Sequence, residues 1–188
     1  MGVKLKVASL FCGCGGTDVG MQGDFDYLGN HYASNDIEIV YANDFEQTAC
    51  NIFEENFGLK PDNRDIRTVK TEELPEFDIL TGGFPCQSFS TVNPTKDPFD
   101  DRANLYKQMV RVVRDKQPKV FIAENVKGMM TLHKGQIFNR IIKSFEEVGY
   151  TTYTKLFNAA DYGVPQKRER VIIVGFKKEL GIKFDFPN

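Results

Sequence analysis

Apolar residues fall into two alternating rhythms along this chain. Short, nearly continuous runs at 5–11, 37–43, 77–82, 119–124, 152–157 and 170–176 read as strands. Between them the apolar positions recur at helical spacing. Phe45, Ala49, Ile52, Phe53 and Phe57 make one stripe, with Gly58 as its C-terminal stop. Leu105, Met109, Val112 and Val113 make a second, ending before Pro118. Ile137, Ile141, Ile142, Phe145 and Val148 make a third, closed by Gly149. Strands alternating with such helices argue for βαβ units. The expected fold class is α/β, a mainly parallel sheet with helices on both faces, and the stripes supply its core. No internal repeat, low-complexity tract or linker divides the chain, so residues 1–188 read as one domain.

Composition narrows the picture. A chain of 188 residues suits one domain with a sizeable core, and 27% charged residues is ordinary for a globular protein. No apolar run approaches membrane-spanning length, and Lys4 and Lys6 interrupt the N-terminal strand, so neither a signal peptide nor an anchor is expected. Met1-Gly2 could open a myristoylation signal, but Lys6 stands where Ser or Thr is required. Cysteines at 12, 14, 50 and 86 form neither a CxxC pair nor a zinc spacing, which favours a reduced setting. The net charge of −2 is low for a self-sufficient DNA-binding domain. Positive charge is local: Arg102, Lys107, Arg111 and Arg114 read as a solvated helix face, while Lys167, Arg168 and Arg170 adjoin a strand.

Candidate chemistry gathers where strands end. Phe11-Cys12-Gly13-Cys14-Gly15-Gly16 is a glycine turn after the first strand, suited to close approach of backbone and ligand. A dinucleotide site is one reading of it. However, Asp18 occupies the place of the third glycine, and the next strand-end acid, Asp44, lies beyond the usual spacing of about 20 residues. Asp44 could accept both hydroxyls of a ribose, or cap a helix over 45–57. In Gly83-Phe84-Pro85-Cys86-Gln87-Ser88-Phe89-Ser90 the proline fixes its own φ and extends Phe84, giving the Cys86 thiol a defined direction. Nucleophile and small buried filler are both open readings of Cys86. Glu124-Asn125-Val126 ends another strand, and Gln166-Lys167-Arg168-Glu169-Arg170 precedes the last.

These four strings, in this order and spacing, closely resemble the bacterial DNA (cytosine-5) methyltransferases, and the resemblance covers nearly the whole chain. It implies a Rossmann-like, S-adenosylmethionine-dependent methyltransferase fold and a bacterial, cytoplasmic enzyme acting on duplex DNA, as in restriction-modification systems. Phe11, Gly13 and Gly15 would line S-adenosylmethionine. Asp44 would hold its ribose hydroxyls and Phe45 its adenine, where the family often has Glu and Trp. Asp65-Ile66 would read the adenine ring, unless Asp65 is an ordinary loop carboxylate, and Pro85 and Leu105 would form further wall. Cys86 corresponds to the nucleophile that adds to carbon 6 of cytosine. Glu124 corresponds to the residue bonding ring nitrogen 3 and the exocyclic amine; otherwise it is a strand-end ion-pair partner. Arg168 and Arg170 correspond to the pair contacting cytosine, Glu124 and phosphate. The target base must be flipped out of the duplex, with Gln87, Ser88 and Ser90 meeting DNA and Thr91 to Asp101 as a mobile lid. Phe89 reads equally as part of that closure or as a buried anchor.

The resemblance also implies a target-recognition domain and a final pair of motifs that the sequence lacks. A split enzyme completed by a second polypeptide is expected, or else a truncated product. Gly20 to Asp36 is longer than in compact relatives and reads as a surface insertion and candidate contact region. Alternative functions are a non-catalytic cofactor-binding module or scaffold, a transfer RNA cytosine-5 methyltransferase, and, least favoured by Asp18 and the Pro85-Cys86 loop, a nicotinamide oxidoreductase.

Overall fold

The computed structural model describes residues 4–85 and 105–187. They divide into two compact units, Met1–Gly82 and Gly83–Asn188. Cys86, Gln87, Ser88, Phe89, Ser90 and the expected lid at 91–101 lie outside the described residues.

In the first unit, β1 (Leu5–Leu10) runs parallel to β4 (Ile37–Asn43) on one side and to β5 (Ile79–Gly82) on the other. Leu10 is level with Asn43 and with Gly82, so the three carboxyl ends emerge together. Ligands of parallel sheets bind at that end. Both faces of β1 are covered: Val7, Ala8, Ser9 and Leu10 are all buried. Val7, Ile39, Ala42, Cys12 and Phe53 form one apolar cluster, with Ile37, Ile79 and Phe57 packed on it.

α2 (Gln47–Phe57) begins two residues later than the apolar stripe suggests. Its N-cap is Glu46, whose side chain accepts Thr48 N–H, and Gly58 ends it in a left-handed conformation at φ 65°. Asp44 is therefore not the cap. The glycine turn opens a helix that the periodicity did not reveal, α1 (Gly16–Gln22). The inserted stretch after it forms an antiparallel hairpin of β2 (Phe25–Tyr27) and β3 (Asn30–Tyr32), closed by stacking of Phe25 on Tyr32.

The second unit pairs differently. β6 (Val120–Val126) and β7 (Tyr150–Asn158) each lie antiparallel to β8 (Glu169–Lys177). A connection of only ten residues, 159–168, links β7 to β8, too short for the crossover a parallel pair needs. The expected parallel pairing thus holds in the first unit, while the pairs described in the second are antiparallel. α3 (Leu105–Lys116) buries Met109, Val112 and Val113. The short α4 (Gly128–Thr131) precedes α5 (Gln136–Glu147), which buries Ile141 and Phe145. Phe121 stacks on Phe145 at 4.1 Å, with Tyr150 beside it, and the Tyr150 hydroxyl donates to the Pro118 carbonyl. No helix among the described residues is long and apolar enough to cross a membrane.

Candidate active site

In the first unit the glycine turn, Asp44 and Phe45 gather where β1 and β4 end. Phe11, Gly13 and Gly15 all take positive φ (54°, 54° and 90°), so the chain coils tightly from β1 into α1. Gly15 must be glycine for a second reason: a Cβ there would lie 2.1 Å from the Phe57 ring. Around Gly13, by contrast, a Cβ would meet nothing within 4 Å. Asp44 locks this turn to the end of β4. Its Oδ2 accepts Gly13 N–H at 2.9 Å and its Oδ1 accepts Glu46 N–H at 2.9 Å. Next to it, Phe45 is 69% exposed.

Asp65 and Ile66 sit on a loop tied to that end of β4. The buried Asn43 amide donates to the carbonyls of Asp62 (2.7 Å) and Arg64 (2.8 Å), and Asn63 donates to the Asp44 carbonyl. Ile66 is buried. The Asp65 carboxylate is gripped by Arg67.

Three cysteines are accounted for as thiols: Cys14 is exposed, and Cys12 and Cys50 are buried. Burial pushes the Cys12 thiol up, and the nearby Asp44 and Asp18 carboxylates push it further, the opposite of what a nucleophile needs. Asp18, in the first turn of α1, points inward and is fully buried. Its Oδ2 accepts the Ser9 hydroxyl at 3.1 Å, and Thr81 in turn donates to Ser9. Its Oδ1 has no partner among the described residues. Burial raises its pKa, partly offset by the Ser9 bond.

In the second unit Glu124 and Arg170 meet. Glu124 is opposite Ile172 in the antiparallel ladder and Arg170 opposite Val126, which makes them diagonal neighbours on one face. Arg170 Nε lies 2.7 Å from Glu124 Oε1, both side chains being partly exposed. A Cβ on Gly83 would lie 3.2 Å from Glu124 Oε2, so the missing side chain keeps that oxygen's surroundings open. The Arg168 side chain is exposed rather than paired with Glu124, and its backbone amide donates to Asn158 Oδ1 at 3.1 Å. Glu169, between the two arginines, points to Lys127 at 2.8 Å, which holds its carboxyl below the usual range.

Asn125 does more than complete a motif. It is buried, and its Nδ2 donates to the Phe84 carbonyl at 2.9 Å, one residue before Pro85. Its Oδ1 accepts Val126 N–H. Pro85 is partly buried, as is Leu105 at the start of α3, and the rings of Phe84 and Tyr106 lie 6.2 Å apart. Asn125→Ala strands the Phe84 carbonyl in a buried site, and should cost about 1–3 kcal/mol. Urea unfolding checks this, and a loss under about 0.5 kcal/mol would show that the bond does not hold the loop.

In the first unit, a glycine turn anchored by an acid at the carboxyl ends of parallel strands is the mark of a Rossmann-like fold. The family profile for C-5 cytosine-specific DNA methylase matches residues 5–188, and the chain belongs to that family. It is 44% identical over 184 residues to the Type II methyltransferase M.FnuDI of Fusobacterium nucleatum, covering 97% of this chain and 50% of that protein. M.NgoFVII of Neisseria gonorrhoeae is 43% identical over 98% of this chain and 47% of its own. Among solved structures, a DNA modification methyltransferase encoded within an Escherichia coli prophage superposes with a TM-score of 0.77 at 28% identity, over 97% of this chain and 49% of that one. The Schizosaccharomyces pombe Dnmt2 methyltransferase, at 20% identity and TM-score 0.71 over 97% of this chain and 53% of its own, shares the fold. The chain spans about half the length of the curated relatives it matches.

Proposed function

We propose that residues 1–188 form the catalytic and cofactor-binding domain of a DNA (cytosine-5) methyltransferase of the restriction-modification type. The observation that carries this reading is the Glu124–Arg170 pair at 2.7 Å, with Asn125 of the same strand end tied to the residue before Pro85-Cys86.

The first unit fits S-adenosylmethionine: Asp44 for the ribose, exposed Phe45 for the adenine face, and the Gly13 backbone in open space. Bound there, the cofactor supplies an electrophilic methyl group. The chain's own residues activate the base. The Cys86 thiolate forms a bond to carbon 6 of a flipped cytosine, while Glu124 bonds ring nitrogen 3 and the exocyclic amine. Electron density moves to carbon 5, which takes the methyl group. Loss of the carbon-5 proton then expels Cys86 and restores the ring. Arg170 orients Glu124, Arg168 reaches base or phosphate from the surface, and Gln87, Ser88 and Ser90 contact DNA.

Target recognition is assigned to the half of the relatives' length that this chain does not span, on the same or on a second polypeptide. The relatives named above are Type II methyltransferases, which favours DNA over transfer RNA as substrate.

The test is transfer of labelled methyl from S-adenosylmethionine to duplex DNA. The chain is assayed alone and with the polypeptide encoded beside it, with Cys86→Ala as control. Activity in the mixture alone, abolished by Cys86→Ala, is expected. Activity that survives Cys86→Ala, or none in either assay, overturns the reading and leaves a non-catalytic cofactor-binding module.

A further inference from the structure

The antiparallel ladder between β7 and β8 stops one residue short of Arg168. Its last rung pairs Asn158 with Glu169. Beyond it, Ala159 N–H still donates to the Arg168 carbonyl at 2.9 Å. A regular ladder would complete that rung by sending Arg168 N–H back to the Ala159 carbonyl. That carbonyl is engaged elsewhere: the chain coils at once into a short 3-10 turn, Ala159–Tyr162, and Val164 N–H donates to it at 3.2 Å. The Asn158 side chain fills the gap. Its Oδ1 accepts Arg168 N–H at 3.1 Å, and also Ala160 N–H, at the start of the turn, at 3.4 Å. Arg168 therefore has both backbone groups bonded one residue outside the strand, while its side chain is exposed.

We propose that Asn158 is a positioning residue for Arg168: its side-chain oxygen stands in for a main-chain acceptor, extends the ladder by one rung, and so presents the Arg168 guanidinium to nucleic acid on the face that carries Arg170. The inference rests on the reading of Arg168 as a base or phosphate contact. Successive residues of a strand alternate faces, so an extended Arg168 shares the face of Arg170, which is also that of Glu124. Ordering a long surface side chain and its backbone on binding costs conformational entropy. A main chain fixed in advance leaves less to lose when the guanidinium meets its ligand. Without the Asn158 oxygen, Arg168 N–H turns to water, the extra rung opens, and the arginine is no longer aimed. Both bonds use the oxygen, which Asp retains and Ala does not.

Amide hydrogen exchange, read by NMR on the chain itself, tests the placement. Asn158→Ala should speed exchange at the Arg168 amide about tenfold, the scale of one hydrogen bond, while the Val171 and Ile173 amides keep their protection. Asn158→Asp, with its acceptor oxygen, should stay within about threefold of wild type. A double-mutant cycle on kcat/KM for DNA, in whichever assembly transfers methyl, tests the consequence. Arg168→Ala and Asn158→Ala should lower it roughly tenfold and roughly fivefold. In the Arg168→Ala background, Asn158→Ala should change it less than about twofold, because its effect runs through Arg168. Additive losses would make Asn158 merely structural and overturn the inference, as would Arg168 exchange unmoved by Asn158→Ala. A loss-free Arg168→Ala, or no methyl transfer in any assembly, overturns the reading of Arg168 and the inference with it; the exchange data tell that failure apart from a failure of Asn158.

Discussion

Glu124→Gln, assayed in whichever assembly shows methyl transfer, is expected to lower turnover about 10²–10³-fold, the scale of losing one preorganised electrostatic partner at a reacting centre. The substitution preserves shape, and Arg170 Nε can still bond the remaining carbonyl oxygen in place of Oε1. What disappears is a carboxyl that can share a proton with nitrogen 3, where electron density gathers as the thiolate adds to carbon 6. The loss should therefore appear in kcat, with little change in KM for DNA, because the interaction strengthens only as the base reacts. A loss under about tenfold would remove Glu124 from base activation and return it to a strand-end ion pair. Gly83 places no side chain beside Oε2, and a thermal melt of the variant separates loss of turnover from loss of fold.

Gly175→Ala carries the largest expected effect on stability. A Cβ on Gly175 would lie 1.9 Å from Phe121 Cε1 and 2.3 Å from its Cζ. Phe121 stands directly opposite Gly175 in the β6–β8 ladder and is fully buried. It cannot retreat, because Phe145 stacks on it at 4.1 Å and Tyr150 lies 5.4 Å away. Overpacking of this kind costs about 1–3 kcal/mol or more. For a chain of this size that lowers Tm by about 2–12 °C. Phe121→Leu in the same chain should recover part of the loss, giving a favourable coupling in a double-mutant cycle. Simple additivity of the two substitutions would show that the ring is not the obstacle.

Much of the fold was legible because the apolar runs were long and their punctuation strong. Gly58 and Gly149 marked helix ends, and the runs at 37–43 and 170–176 fell on strands. α1 escaped notice because its residues, Gly16 to Gln22, include two glycines and a buried aspartate, which disguise any periodicity. The β2–β3 hairpin escaped because three-residue strands give no alternation to count. Antiparallel pairing in the second unit was hidden for another reason: β8 is largely buried and reads like a parallel strand.

The strings at 11–16, 83–90, 124–126 and 166–170 pointed to the candidate site, and Arg170 does meet Glu124. Asn125, Asn158 and Arg67 were not predicted in their roles, because each acts by bonding backbone or another side chain across the fold. For Asn158 a local signal existed: an Asn followed by Ala159-Ala160-Asp161 is a capping residue, and its side chain accepts Ala160 N–H.

The antiparallel ladder of β6 and β8 gives the Glu124–Arg170 pair something like a reading frame. Glu124 finds Arg170 only because Ile172 is opposite it and the pleat returns to the same face two residues on. A single residue inserted between Arg170 and Ile172 would keep every side chain of the strand, yet turn Arg170 to the opposite face. Two inserted residues would restore the face and carry the guanidinium about 7 Å along the strand. Composition and hydrophobicity would barely change in either case. The pairing that brings charge to charge is thus stored in alignment, and β8 can drift in sequence far more freely than in length.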